Sequence, residues 1–81
     1  MRVKVFVTPR QGILDPQGRA VEAALANLGF AGVRDVHLGR FIVLALDAPS
    51  QVAAEEIVRK MCEQLLANPM IEDYRFEVDP G

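Results

Sequence analysis

From Arg2 to Thr8 apolar and polar positions alternate, with Val3, Val5 and Val7 on one face and Arg2, Lys4, Phe6 and Thr8 on the other. A period of two predicts a strand with one fully apolar face and a mixed reverse face. Pro9 to Leu14 is a loop rich in turn formers. The period then changes: Ala20, Val21, Ala24, Leu25 and Leu28 recur at helical spacing. Asp15 has the chemistry of an N-cap, Pro16 fits the first helical position, where its missing N–H costs nothing, and Gly29 supplies the stop. A helix is predicted over 16–28, with Phe30 placed for the apolar contact that accompanies such a stop.

Val33 to Leu38 reads as a short strand, Gly39-Arg40 as a tight turn and Phe41 to Leu46 as the other arm of a hairpin. Phe41, Val43 and Ala45 face one side and Ile42, Leu44 and Leu46 the other, so both faces of this strand must be covered. Asp47-Ala48-Pro49-Ser50 breaks it, and the longest helix comes next, running to about Ala67. Its core stripe is Ala54, Ile57, Val58, Met61 and Leu65, flanked by Cys62 and Leu66. Glu55 with Arg59, and Glu56 with Lys60, are i,i+4 pairs on the solvent side. Asn68 precedes a proline, a position biased away from helix, so the helix ends there. Tyr74, Phe76 and Val78 then alternate with Arg75, Glu77 and Asp79 in a last strand.

The element order β-α-β-β-α-β, with right-handed crossovers and short loops, predicts an α+β fold of ferredoxin-like type. It has a four-stranded antiparallel sheet, its first and third strands central, and both helices on one face. The open face would carry Phe6 and one apolar set of the third strand. An exposed apolar patch of that kind marks an interface, which makes Phe6, Phe41, Ile42, Val43 and Leu44 the candidates for self-association.

Composition narrows the class. Eighty-one residues make one domain, 1–81, too short for a second core. A net charge of −2 lacks the basic footprint of a nucleic-acid binder. No apolar run approaches the roughly 20 residues of a membrane span, and Met1 leads straight into a strand with no signal peptide. One cysteine permits no internal disulfide and fits a reducing compartment, so a cytoplasmic location is expected.

Candidate chemistry is sparse. Gly12 to Arg19 resembles a phosphate loop, but five residues separate Gly12 from Gly18 where a Walker A motif needs four. The lysine and the magnesium-binding hydroxyl are missing as well. His37 is the only histidine and has no Cys or His at ligand spacing. Cys62 borders a helix stripe, where a small buried thiol is the ordinary reading. Glu72 and Asp73 are adjacent on a strand and point to opposite faces, so they form no dyad and read as solvated charge. Arg10 and Arg40, with the free N–H groups at the start of the first helix, could hold an anion. Solubilising charge at loop tips is the favoured reading of them, and docking onto an acidic partner surface is a third.

Four features taken together carry a resemblance. They are Gly12-Ile13-Leu14-Asp15-Pro16-Gln17-Gly18, the Leu28-Gly29-Phe30 helix exit, Gly39-Arg40, and Leu65-Leu66-Ala67-Asn68-Pro69 through Ile71-Glu72-Asp73-Tyr74. In this order and chain length they resemble the PurS-type small subunit of phosphoribosylformylglycinamidine synthase. The resemblance implies a non-catalytic subunit of purine biosynthesis, acting as a homodimer or dimer of dimers. Its partners would be a large synthetase subunit and a glutaminase subunit, which it bridges while assisting ammonia transfer. It implies no cofactor in this subunit, ATP and magnesium belonging to the large one, and no catalytic residue. Arg10, Gly12, Leu14, Asp15, Pro16, Gly18, Gly39, Arg40 and Asn68 become candidates for loop geometry or partner docking. A ligand-sensing regulatory domain and an acylphosphatase-like enzyme are alternatives with the same element order.

Overall fold

A computed structural model describes residues 1–80; position 81 of the predicted domain lies outside the described residues. The first strand, β1 (Arg2–Pro9), is the centre of an antiparallel sheet. It is flanked by β2 (Arg40–Ala45) on one side and β3 (Glu72–Asp79) on the other. Pairing places Val5 opposite both Ile42 and Phe76, and Val3 opposite Leu44 and Val78, so one face of all three strands is apolar. Helix α2 (Gln51–Met61) covers that face. Val3, Val5 and Val7 are fully buried with Val58 and Cys62, and Ile42, Leu44, Leu46, Tyr74, Phe76 and Val78 border them.

The sheet has three strands among the described residues, where four were predicted. Two backbone facts account for this. Asp35 adopts a left-handed φ of 58°, which interrupts the period-two run 33–38. Gly39 lies outside the left-handed region, whereas a tight hairpin beginning with glycine needs a positive φ there. The chain therefore passes through Gly39 into β2 without folding back, and β2 is an edge instead of a central strand.

Helix α1 (Pro16–Asn27) has the predicted caps. The Asp15 carboxylate accepts the Gly18 N–H at 3.0 Å, and Gly29 closes the helix at φ 94°. It does not pack on the sheet beside α2, the second departure from the prediction. Its one buried residue is Gly18, a Cβ on which would fall 2.1 Å from the Val36 carbonyl oxygen; Leu28 and Phe30 stay exposed. Helix α1 and the segment after it form an arm. The radius of gyration is 16.1 Å, against about 12 Å for a compact domain of this length.

Helix α2 ends differently from the regular helix predicted to about Ala67. Residues Cys62–Leu66 form a π-helical turn, with the Ala67 N–H donating to the Cys62 carbonyl at 3.0 Å. The extra residue rotates every later position, so Leu65 is 81% exposed while Leu66 packs on the core and Cys62 and Ala67 are buried. Leu65 is thus no part of the stripe. Arg59 pairs with Glu56 at 3.1 Å, not with Glu55 as predicted. On the open sheet face Phe6 and Phe41 meet at 4.9 Å between ring centres, and the Arg75 guanidinium lies 3.9 Å over Phe6. Val43 belongs to this face, but Ile42 and Leu44 point to α2, which removes them from the open-face candidates.

Candidate functional site

The predicted site residues gather at two carboxylates. At the first, one oxygen of Asp15 accepts the Gly18 N–H of its own helix. The other accepts the Leu38 N–H at 2.9 Å and lies 3.5 Å from His37 Nδ1. Asp15 therefore caps α1 and ties the returning segment to it, and Glu22 accepts the Val36 N–H farther along the helix. The two backbone hydrogen bonds, Gly18 first and then Leu38, hold the Asp15 carboxyl below the usual carboxylate range, with a smaller contribution from His37. Pro16 begins the helix and Gly12 turns the loop at φ 86°. Leu14 is 72% exposed and touches no core.

An open cleft of about 810 Å³ lies beside this carboxylate. Asp15, Glu22, Asp35 and Asp73 line it together with Arg19 and His37. Four carboxylates against one guanidinium give a field of the wrong sign for phosphate. The helix N-terminus that would hold an anion is filled by Asp15 itself. This disfavours both the phosphate-loop reading and the acylphosphatase-like alternative.

The second centre is Glu72. Its carboxylate lies 2.9 Å from the Arg40 guanidinium and accepts the Asn68 N–H at 2.7 Å. Arg40 also donates to the Leu66 carbonyl, at 2.9 Å. Asn68 accepts the Met70 N–H on its side chain and the Glu72 N–H on its carbonyl. Arg10 donates to the Glu72 carbonyl and lies 3.6 Å from Asp73. The strands explain the meeting: Arg40 and Glu72 extend the inward-facing rows of β2 and β3 at the same end of the sheet, on either side of β1. Gly39 allows it, since a Cβ there would fall 2.1 Å from the Val7 carbonyl oxygen.

Arg10 and Arg40 are thus engaged within the chain, and Glu72, read from sequence as solvated charge, is the hub of the network. Register across β1 decides this, and no local pattern signals it.

Cys62 and His37 are brought to separate places, in the core and beside α1. Burial, with Glu63 adding to it, pushes the Cys62 thiol up, which makes it a poor nucleophile. Among the described residues no group of three or more His, Cys, Asp and Glu could hold a metal ion, and no helix is long and apolar enough to cross a membrane.

Residues 2–80 match the family model described as PurS, phosphoribosylformylglycinamidine (FGAM) synthase. The chain belongs to the PurS family. It is 45% identical over 75 residues to the phosphoribosylformylglycinamidine synthase subunit PurS of a Synechocystis species, covering 93% of this chain and 75% of that relative. The structure of Bacillus subtilis PurS is similar with a TM-score of 0.85 at 44% identity, over 96% of both chains. A chain in the structure of PurLQS from Thermotoga maritima is similar with a TM-score of 0.84 at 34% identity, over 94% of this chain and 93% of that one. The two carboxylate centres of this chain sit on a PurS-type fold, at the junctions between its arm, sheet and helix exit.

Proposed function

We propose that this PurS-family chain serves as the small, non-catalytic subunit of phosphoribosylformylglycinamidine synthase in purine biosynthesis, in the cytoplasm. There it bridges the glutaminase and synthetase subunits and assists ammonia transfer between them. ATP and magnesium act on the large subunit. The observation that carries this reading is the family match over residues 2–80, nearly the whole chain. The engagement of Arg10, Arg40, Asp15 and Glu72 in internal contacts supports the scaffold reading, in which these residues set loop geometry.

The chain also associates with itself through its open sheet face, where Phe6, Phe41 and Val43 form the apolar surface. Phe6→Glu should weaken that contact without unfolding the sheet, because Phe6 points away from α2.

The test is reconstitution with purified synthetase and glutaminase. Glutamine-dependent synthesis should require this subunit, and synthesis from added ammonia should depend on it far less. Full glutamine-dependent rate without the subunit would refute the scaffold reading.

A further inference from the structure

We infer that Arg40 and Glu72 form a latch holding the end of helix α2 in one of two registers. Releasing the latch exchanges Leu66 for Leu65 at the core. The inference goes beyond the scaffold reading and does not depend on it.

Three observations carry it. The first is the pair of adjacent leucines inside the π-helical turn. A regular helix continuing the stripe Ala54, Val58 and Met61 would bring Leu65 inward and leave Leu66 at its flank. The π turn does the reverse, with Leu65 81% exposed and Leu66 against the core. Either register offers the core the same side chain. Apolar burial therefore separates the two registers little, and the choice falls to hydrogen bonds.

The second is the origin of those hydrogen bonds. The Ala67 N–H closes the turn on the Cys62 carbonyl. Beyond it the exit is held from outside the helix. Arg40 Nη2 donates to the Leu66 carbonyl and to the Glu72 carboxylate, each at 2.9 Å. The same Glu72 oxygen accepts the Asn68 N–H at 2.7 Å. The two side chains thus bridge the Leu66 carbonyl to the Asn68 amide. A π turn inside an α-helix is rare, and these contacts supply its cause here.

The third is which side can yield. Arg40 pairs with Val7 and Glu72 with Pro9, so ladders on either side of β1 fix both latch residues. The helix exit belongs to no ladder. It continues into the turn Asn68–Ile71, whose Met70 is 83% exposed. That turn can take up the one residue a regular helix would release. When the latch opens, the sheet keeps its register and the exit moves.

The latch also joins the arm to this exit. Leu38, held to the Asp15 carboxylate, is followed by Gly39 and then Arg40. A pull on the arm that draws Arg40 off the Leu66 carbonyl is therefore felt at Leu65, in a different element.

Thiol labelling of the full chain tests this. In a Cys62→Ala background, a single cysteine introduced by Leu65→Cys or by Leu66→Cys reports which position faces solvent. With the latch intact, Leu65→Cys should react with a maleimide faster than Leu66→Cys. Arg40→Ala should reverse that order. Glu72→Ala opens the latch from its other side and should reverse it too. Glu72→Gln keeps an acceptor for Arg40 and for the Asn68 N–H, so it should retain the original order. Helix circular dichroism of each variant identifies the chains that are folded. The inference is overturned if the order is unchanged in the folded variants that lack the latch, or if Glu72→Gln reverses it.

Discussion

The π-helical turn makes a prediction opposite to the one helical periodicity makes. In a regular helix Leu65 would continue the stripe Ala54, Val58 and Met61, and truncating it would open a core cavity costing roughly 2–5 kcal/mol. Here Leu65 is 81% exposed and Leu66 packs on the core. Leu65→Ala should therefore change stability by no more than about 0.5 kcal/mol, as for surface substitutions generally. Leu66→Ala removes three methyl-sized groups worth about 0.8 kcal/mol each when fully buried. Leu66 is half-buried, so about half of that is lost, and the cavity left behind raises the total to about 1–2 kcal/mol. For a domain of this size the melting temperature should fall by roughly 6–12 °C. Urea and thermal unfolding, monitored by helix circular dichroism at two protein concentrations tenfold apart, separate an effect on folding from one on association. If Leu65→Ala lowers the midpoint as much as Leu66→Ala at both concentrations, the rotation assigned to the π turn is wrong.

The carboxylates and the thiol give three further expected outcomes. Glu72→Ala removes an ion pair and a hydrogen bond from the Asn68 N–H. Arg40 is more than half exposed, which limits the loss to about 1 kcal/mol; an unchanged urea midpoint would show that the network holds nothing. Because the folded Asp15 carboxyl titrates below its unfolded value, the unfolded chain binds more protons as pH falls. Its contribution is complete above the usual carboxylate range and is lost as pH drops through the folded value. Helix melting midpoints measured from neutral pH into acid should therefore fall less steeply in Asp15→Asn than in the unmodified chain, and parallel curves would refute the cap's role. Cys62 should react with a thiol reagent at neutral pH at the rate at which the core opens, because it is buried and its thiol is pushed up; fast labelling of the native chain would contradict that burial.

What the sequence disclosed was local. The alternation of β1 and β3, the Asp15-Pro16 cap and the Gly29 stop each depend on neighbours a few residues away, and each formed as read. The hairpin failed because Gly39-Arg40 fits a turn, yet Gly39 lacks the positive φ that turn needs and Arg40 instead enters β2 with partners at Leu66 and Glu72. Leu65 failed because one inserted residue in a helix turn shifts every later position, and composition does not mark the insertion. Glu72 was missed since its partner Arg40 is 32 residues away on the opposite flank of β1. Among the site residues quoted for the resemblance, Gly12, Gly18 and Gly39 stand where the backbone takes a path that a side chain would obstruct or strain. Gly18 and Gly39 sit where a carbonyl oxygen leaves no room for a Cβ, which explains why they stand in a motif without doing chemistry.

The central position of β1 fixes when this sheet can form. The strand that seals one of its flanks, β3, comes later in the chain, across a loop of about sixty residues. Val3, Val5 and Val7 thus lack one of the two ladders that bury them until β3 has been made. Folding of the sheet is governed by closing that loop, and is not a process that can ratchet forward strand by strand as the chain emerges. Any ribosome stall or proteolytic cut before Glu72 leaves an apolar strand with an open side, a fragment suited to aggregation or to rapid clearance.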